Sequence, residues 1–170
     1  YCLPEMFALF DWILRIAPEA RFLILTGSPD IAEAAARKYA LIASYVMVRS
    51  VPPLEVPGYL ASADLGLAFR TPAFSMQAVA PIKLGEYLLC GLPVLASVGV
   101  GETEALKGDV GLVIDESNKA ELESAAEWVV ANVVPNRAAL RKQCRRVGLA
   151  YFSLDKTVES YRDALGKLFE

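Results

Sequence analysis

Short apolar runs alternate with amphipathic segments along the chain, and this alternation predicts the fold class. The runs with the length and composition of buried strands are RFLILTG, SYVMVRS, DLGLAFR, PVLAS and VGLVID. The segments between them predict helices, namely PEMFALFDWILRIAPEA, DIAEAAARKYA, PPLEVPGYLASA and PIKLGEYLLC. Continuous apolar strands that alternate with helices are typical of a parallel sheet covered on both faces. We therefore predict an α/β protein with a doubly wound parallel sheet in three α/β/α layers.

The last third of the chain has a helical pattern throughout. Its predicted helices are KAELESAAEWVVANV, PNRAALRKQCRRVG and SLDKTVESYRDALGKLFE. Ser28 and Ser153 stand where helix N-caps are expected, and Gly91 is expected to end the helix that begins at Pro81. The length of 170 residues, without any linker-like segment, predicts a single domain over residues 1–170.

Composition narrows the possible functions. Apolar residues make up 55% of the 170 residues, which is enough for a full core, and the net charge is -3. A slightly acidic chain lacks the electrostatic footprint of a nucleic-acid-binding protein. The longest apolar stretch is broken by Gly91, Pro93 and Gly99, so it falls short of the ~20 residues of a membrane helix.

Histidine is absent and cysteine is sparse. The lack of histidine excludes Ser-His-Asp, Cys-His and His-metal chemistry from this chain, and we expect no metal. Cys2, Cys90 and Cys144 are far apart and odd in number, which favours reduced thiols and a cytoplasmic location. Cys90 lies in an apolar run and is expected to be a small core residue.

Polar and basic residues follow several of the predicted strands. In open parallel sheets, ligands bind beyond the carboxyl ends of the strands. Gly27, Arg49 with Ser50, and Arg70 occupy these ends, and arginine can make bidentate contacts with phosphate. Each arginine could equally be a surface residue. Gly99 and Gly101 form a lone G-x-G after the fourth strand, which usually indicates only a turn.

The segment PIKLGEYLLCGLPVLAS places Lys83 and Glu86 in an otherwise apolar helix. Pro81 suits the first helical position, which makes Ala80 an N-cap without a side-chain oxygen. A helix start without a cap can bind an anion, and a phosphate there would also explain a lysine in the first turn. A carboxylate one turn further would suit a ribose diol. The alternative is a helix capped by water, with Lys83 paired to Glu86.

A basic run lies on a later helix. It contains Arg141, Lys142, Arg145 and Arg146. Most runs of this kind are solvated helix faces; the alternative is a peripheral contact with anionic lipid, at the inner face of a membrane, or with a partner domain.

The segments APIKLGEYLLCGLPVLAS, GVGETEAL and DVGLVID together resemble the C-terminal, donor-binding half of group 1 glycosyltransferases, which have the GT-B fold. The pattern P-x-K-x-x-E-Y-L followed by G-x-P-V is specific because a helix start, a lysine, a glutamate, a glycine stop and a strand coincide. The similarity extends over nearly the whole chain, through PEARFLILTGSPD to YFSLDKTVESYRDAL.

The resemblance implies a Rossmann-like domain of a retaining, metal-independent hexosyltransferase that binds a nucleotide-sugar donor. It implies that Lys83 and Glu86 are the catalytic residues, with Glu86 on the ribose. Ile82, Lys83 and Leu84 would line the diphosphate at the helix start. Further donor contacts would come from the ends of the other strands, at Gly27, Arg49, Ser50, Val51 and Arg70.

The sequence departs from the family pattern at two places. Ala78 stands where many members have a sugar-binding glutamate, and the family's first strand should precede Pro4. We therefore expect a gap or exposed edges in the sheet, which a partner chain could fill. We interpret the chain as one domain of a longer enzyme whose N-terminal acceptor domain is separate, and expect it to be inactive alone.

Three alternatives to a donor-binding domain remain open. The first is a doubly wound regulatory or interaction domain, although a receiver-type domain would need an acidic cluster and Asp30 stands alone. The second is a glycosyltransferase-like scaffold without activity, and the third is a sugar-nucleotide epimerase of the same fold.

Overall fold

The computed structural model describes residues 2–71, 73–75, 82–101, 103, 106 and 110–166. Within these residues the helices are α1 (Leu3–Ile16), α2 (Pro29–Ala36), α3 (Val56–Ser62), α4 (Ile82–Leu89), α5 (Lys119–Trp128), α6 (Arg137–Phe152) and α7 (Leu154–Gly166). The strands are β1 (Phe22–Leu25), β2 (Val46–Arg49), β3 (Gly66–Ala68), β4 (Val94–Ser97) and β5 (Gly111–Ile114). The predicted α/β class and the predicted strands are confirmed.

All strand pairs in the described residues are parallel, and they form two sheets. One sheet pairs β1 with β2, and the other has the order β3-β4-β5. A doubly wound sheet of order 3-2-1-4-5-6 that lacks its first strand leaves this arrangement, because strand 1 normally separates the two groups. The expected break in the sheet therefore falls between β1 and β3.

Helices cover both faces of the three-stranded sheet. Along β4, Leu95 packs with α1 and α5, whereas Val94 and Ala96 face the opposite way and pack with α4 and α6. This alternation follows from the two-residue period of a strand. β4 is the central strand of this sheet, and all of its residues are buried. The predicted three-layer arrangement is confirmed here.

Helix α1 connects the two sheets through different sides of its surface. Phe7 and Phe10 pack against Phe22 of β1, with the Phe7 and Phe22 rings edge to face at 5.8 Å. Met6 and Leu9, on another side, join the core cluster of the three-stranded sheet. A single amphipathic helix with a wide apolar face can thus cover the break between the sheets.

Close packing of α4 on α6 fixes the helix that carries the candidate site. A Cβ added at Gly148 of α6 would lie 2.7 Å from the backbone nitrogen of Leu89. Glycine therefore allows the two helices to approach each other at backbone distance. Gly91 has a φ of +84°, so α4 ends at the predicted glycine in the left-handed region.

The predicted helix caps agree with the structure only in part. Ser28 occupies the N-cap of α2 but its side chain makes no capping bond, whereas the Ser153 hydroxyl accepts from the Lys156 N–H. Asn118, which the sequence pattern did not indicate, caps α5 through the Ala120 N–H. A π-helical turn at Val129–Val133 follows α5 inside the predicted helix.

Candidate functional site

Polar groups join the carboxyl ends of the three-stranded sheet. The Arg70 N–H, just after β3, donates to the hydroxyl of Ser97 at the end of β4 at 2.9 Å. Ser97 is fully buried, and the N–H of the next residue, Val98, bonds to the carbonyl of Ile114 in β5. The edge that the sequence predicts as a binding site is therefore ordered by hydrogen bonds between neighbouring strand ends.

Helix α4 presents Lys83 and Glu86 to solvent. Both are exposed, whereas Leu84 and Leu88 are buried against the sheet. This division follows from the helical period, because residues 84 and 88 lie on one stripe and residues 83 and 86 on another. Tyr87 ties α4 to β3, since its hydroxyl donates to the Leu67 carbonyl at 3.3 Å.

The predicted donor contacts on α4 are of two kinds. Ile82 is 75% exposed at the first described position of the helix, so its side chain is open to a ligand. Leu84 is 1% exposed and packs in the core, so only its backbone could face a phosphate. Ala80 and Pro81, which form the predicted uncapped helix start, and Ala78, which stands where many family members have a sugar-binding glutamate, lie outside the described residues.

Lys83 and Glu86 are not paired with each other in the described part of the chain, although such a pair was the simple alternative to a ligand. Burial, with the charge of Glu86 as a second cause, raises the pKa of the Cys90 thiol, while Arg145 opposes this shift. Cys90 is therefore a neutral thiol, but it is only half-buried and belongs to none of the core clusters of the described residues, so its prediction as a core residue is wrong.

The remaining predicted donor residues lie at the carboxyl end of the other sheet. Gly27 follows β1, and Arg49 ends β2; both are exposed. The Thr26 N–H bonds to the Arg49 carbonyl, which holds these two loops side by side. The Arg49 guanidinium donates to the Val48 carbonyl at 2.8 Å.

Ser50 and Val51 continue from β2 as exposed and half-buried residues, respectively. Gly99 and Gly101 have φ values of +72° and +59°, so this G-x-G forms a left-handed turn. Glu104, which follows this turn and which the sequence allows as either a cap or a ligand contact, lies outside the described residues. Within the described ranges no group of three or more Cys, Asp or Glu side chains is arranged to hold a metal ion.

The basic run on α6 is partly structural. Arg141 donates to the Ala63 carbonyl at 2.8 Å, and the neighbouring Arg137 pairs with Asp64 at 2.7 Å. These contacts fasten α6 to the end of α3. None of the helices in the described part of the chain is both long enough and apolar enough to cross a membrane.

A polar cluster that the sequence did not reveal lies at the carboxyl edge of the three-stranded sheet. The Cys2 sulfur is 3.5 Å from the Thr71 hydroxyl and donates to Glu116 Oε1 at 3.6 Å. Burial is the main cause that raises the pKa of Cys2, so the thiol keeps its proton and can act as this donor. The signal in the sequence was the position of Glu116, directly after the fifth strand and its Asp115.

Comparison with solved structures identifies the fold. The chain superposes on pneumococcal O-GlcNAc transferase GtfA, in complex with UDP and GlcNAc, with a TM-score of 0.71 at 14% identity, covering 99% of this chain and 33% of that one. It matches sucrose-phosphate synthase from Thermosynechococcus elongatus with a TM-score of 0.68 at 19% identity, covering 95% of this chain and 42% of that one. Anabaena HepE, in complex with UDP and glucose, gives a TM-score of 0.69 at 17% identity, covering 94% of this chain and 44% of that one.

The chain has the Rossmann-like fold found in one part of these GT-B glycosyltransferases. It spans between a third and less than half of their length. No protein-family model and no curated protein sequence matches it. The comparison therefore confirms the predicted fold, and it supports a glycosyltransferase-like scaffold.

Proposed function

We propose that this protein binds a nucleotide-sugar donor at the start of α4 and forms the donor-binding part of a retaining glycosyltransferase. The observation that carries the proposal is the placement of Lys83 and Glu86. Both point to solvent from a helix whose other side is fixed in the core by Leu84 and Leu88. Charged residues on a fixed helix at the carboxyl edge of a parallel sheet suit a ligand with both phosphate and hydroxyl groups.

Lys83 and the helix start would hold the diphosphate. Backbone N–H groups at a helix N-terminus attract anions, and a lysine ammonium adds a full positive charge there. Transfer of the sugar leaves negative charge on the departing nucleoside diphosphate. Fixed positive groups that face this charge would stabilise the transition state without a metal ion.

Glu86 would bind the ribose. A carboxylate near phosphate is repelled by it, so its natural partners are neutral hydroxyl groups, and a ribose diol offers two donors. Lys83 and Glu86 stand three residues apart on α4, which places them on adjacent turns of the same helix. One ligand could therefore contact both residues through different groups.

The ligands bound to proteins of similar fold suggest which nucleotide to try first. The GtfA structure contains UDP and GlcNAc, and the HepE structure contains UDP and glucose. We propose a uridine nucleotide sugar for this chain on that basis, with an acceptor domain supplied elsewhere. We also propose that the chain acts in the cytoplasm, where nucleotide sugars are available as substrates.

Titration calorimetry of the 170-residue protein with UDP, GDP and ADP tests the proposal. We expect one of them to bind, and we expect Lys83→Ala and Glu86→Ala to weaken that binding by about tenfold or more, roughly the 1.4 kcal/mol of a charge-assisted hydrogen bond. Lys142→Ala, which removes an exposed lysine from α6, is the matched control and should leave the affinity unchanged.

Two results would contradict the proposed site. If none of the three nucleotides binds, the proposed donor site at the start of α4 is wrong. If a nucleotide binds but Lys83→Ala and Lys142→Ala behave alike, the nucleotide lies elsewhere on the protein. Both substitutions on α4 affect exposed side chains, so the variants should fold as the wild type does.

A further inference from the structure

Glu116 is a buried carboxylate with few hydrogen-bond donors around it. It is 4% exposed, and among the described residues its Oε2 has no hydrogen-bond partner. Within the same part of the chain, its Oε1 accepts only from the weak thiol donor of Cys2, at 3.6 Å. No ion pair of the described residues includes Glu116. A buried carboxylate without a cation or strong donors is unfavourable, so an orphaned oxygen of this kind needs an explanation.

Local structure does not account for the burial of Glu116. The preceding Asp115 makes the turn after β5, because its carboxylate accepts from the backbone N–H and the hydroxyl of Ser117. These bonds lower the pKa of Asp115. The next helix is capped by Asn118. Turn formation and helix capping are thus complete without Glu116, whose side chain is left for another role.

Glu116 belongs to the edge of the sheet where the nucleotide site is proposed. Its thiol partner Cys2 also contacts Thr71, which follows Arg70 directly in the chain. The Arg70 N–H in turn bonds to Ser97 at the end of β4. A continuous line of short contacts and one peptide bond therefore links Glu116 to the loop that carries Arg70.

We infer that Glu116 accepts a hydrogen bond from a hydroxyl group of the sugar carried by the nucleotide, an inference that rests on the proposed function. A carboxylate repels the diphosphate but accepts strongly from neutral hydroxyl groups, and burial strengthens such a bond. The sugar hydroxyl replaces the weak thiol donor or satisfies the orphaned Oε2. Cys2 is the N-cap of α1 and its carbonyl accepts from the Met6 N–H, so only its side chain needs to turn aside and the helix start is kept.

Comparison of a nucleoside diphosphate with its sugar conjugates tests this inference. The probes are UDP, UDP-glucose and UDP-N-acetylglucosamine, with GDP or ADP and their glucose conjugates if those bases bind instead. The variant is Glu116→Met, which keeps the side-chain length but removes the acceptor and the charge. Glu123→Met, at an exposed position of α5, is the matched control for the loss of a carboxylate.

The wild type should bind at least one sugar conjugate more tightly than the bare diphosphate. Glu116→Met should bring the affinities for that conjugate and for the bare diphosphate within about twofold of each other, and should leave the affinity for the bare diphosphate within about twofold of the wild-type value. The Tm of the ligand-free variant should rise, because the substitution removes a buried charge without partners. Glu123→Met should change neither affinity.

A structural role for Glu116 predicts the opposite pattern. A fall in Tm, or an equal loss of affinity for the diphosphate and its conjugates, would overturn the inference. So would a wild type that binds the conjugates no better than the bare diphosphate, although the proposed nucleotide site would stand. If no nucleotide binds at all, the proposed function fails, and the inference fails with it.

Discussion

The backbone N–H of Arg70 donates a 2.9 Å hydrogen bond to the hydroxyl of Ser97. Ser97 is the fully buried last residue of β4, and Arg70 begins the loop that follows β3. One side chain thus sets the direction in which this loop leaves the sheet. The Ser97 hydroxyl thereby joins the carboxyl ends of β3 and β4 without needing to contact a ligand.

Removal of this hydroxyl should therefore destabilise the protein. Ser97→Ala leaves the Arg70 N–H without its acceptor, and we expect the free energy of unfolding to fall by about 1–3 kcal/mol. Urea unfolding of both proteins measures the difference. Ser28→Ala is the control, because Ser28 is exposed and makes no capping bond. It should change stability by less than about 0.5 kcal/mol, and equal effects of the two substitutions would show that the Ser97 contact is unimportant.

Glu86 should determine discrimination between ribose and deoxyribose. If the nucleotide bound is UDP, the wild type should bind it more tightly than 2′-deoxy-UDP or 3′-deoxy-UDP, because the carboxylate accepts from the diol. Glu86→Ala should bring these affinities within about twofold of one another, which a competition assay can measure. Glu123→Ala is the control for charge. If Glu86→Ala weakens all of these nucleotides equally, Glu86 does not bind the ribose.

The close approach of α6 to α4 should make Gly148 sensitive to substitution. A Cβ at this position would lie 2.7 Å from the Leu89 nitrogen and 2.9 Å from the Leu88 carbonyl carbon. We expect Gly148→Ala to lower stability by about 1–3 kcal/mol and to weaken nucleotide binding, because α4 must move. Thermal unfolding and calorimetry measure the two effects.

The matched control for Gly148 is Gly58, in α3. A Cβ at Gly58 meets no atom within 4 Å. Gly58→Ala should therefore raise stability by up to ~1 kcal/mol, as alanine favours a helix, and should leave nucleotide affinity unchanged. If both alanine variants were equally stable, the helices would not pack as closely as the structure indicates.

Cys144 should make stability fall in alkaline solution. Burial raises the pKa of its thiol from 9.0 to about 11. As the pH rises through this window, the unfolded chain loses the thiol proton before the folded chain does, so stability decreases; below it, the thiol is neutral in both states and has no effect.

Substitution of Cys144 isolates this contribution. Cys144→Ala should be less stable than the wild type at neutral pH, because it leaves a cavity in the core. The difference between the two proteins should narrow as the pH rises from about 9 to about 11, since only the wild type carries this thiol. Urea unfolding at several pH values measures the difference. A constant gap would contradict the raised pKa, and the other two cysteines cancel because both proteins contain them.

Much of the fold could be predicted from short-range patterns. The strands were visible because continuous apolar runs of their length suit a sheet covered on both faces. The position of Lys83 and Glu86 on one stripe of α4 followed from the helical period within a single segment, whereas Leu84, which was predicted to line the diphosphate, is buried in the core. The break between β1 and β3 was anticipated only through the resemblance to a family with one more strand.

Contacts between distant segments could not be predicted in this way. Cys2 and Glu116 are 114 residues apart, and their contact depends on how α1 packs on the three-stranded sheet. The pattern likewise marked Ser28 as a cap, but its side chain makes no capping bond, because a residue type permits a hydrogen bond without fixing its geometry.

The sequence by itself determined the α/β class, the positions of the strands and the stripe of α4 that carries Lys83 and Glu86, because these depend on periodic burial over a few residues. Only the tertiary structure decided that Ser97 holds Arg70 and that Glu116 is buried with an oxygen unpaired. The register of the parallel strands and the packing of helices across them bring those groups together, and neither is encoded in any single segment.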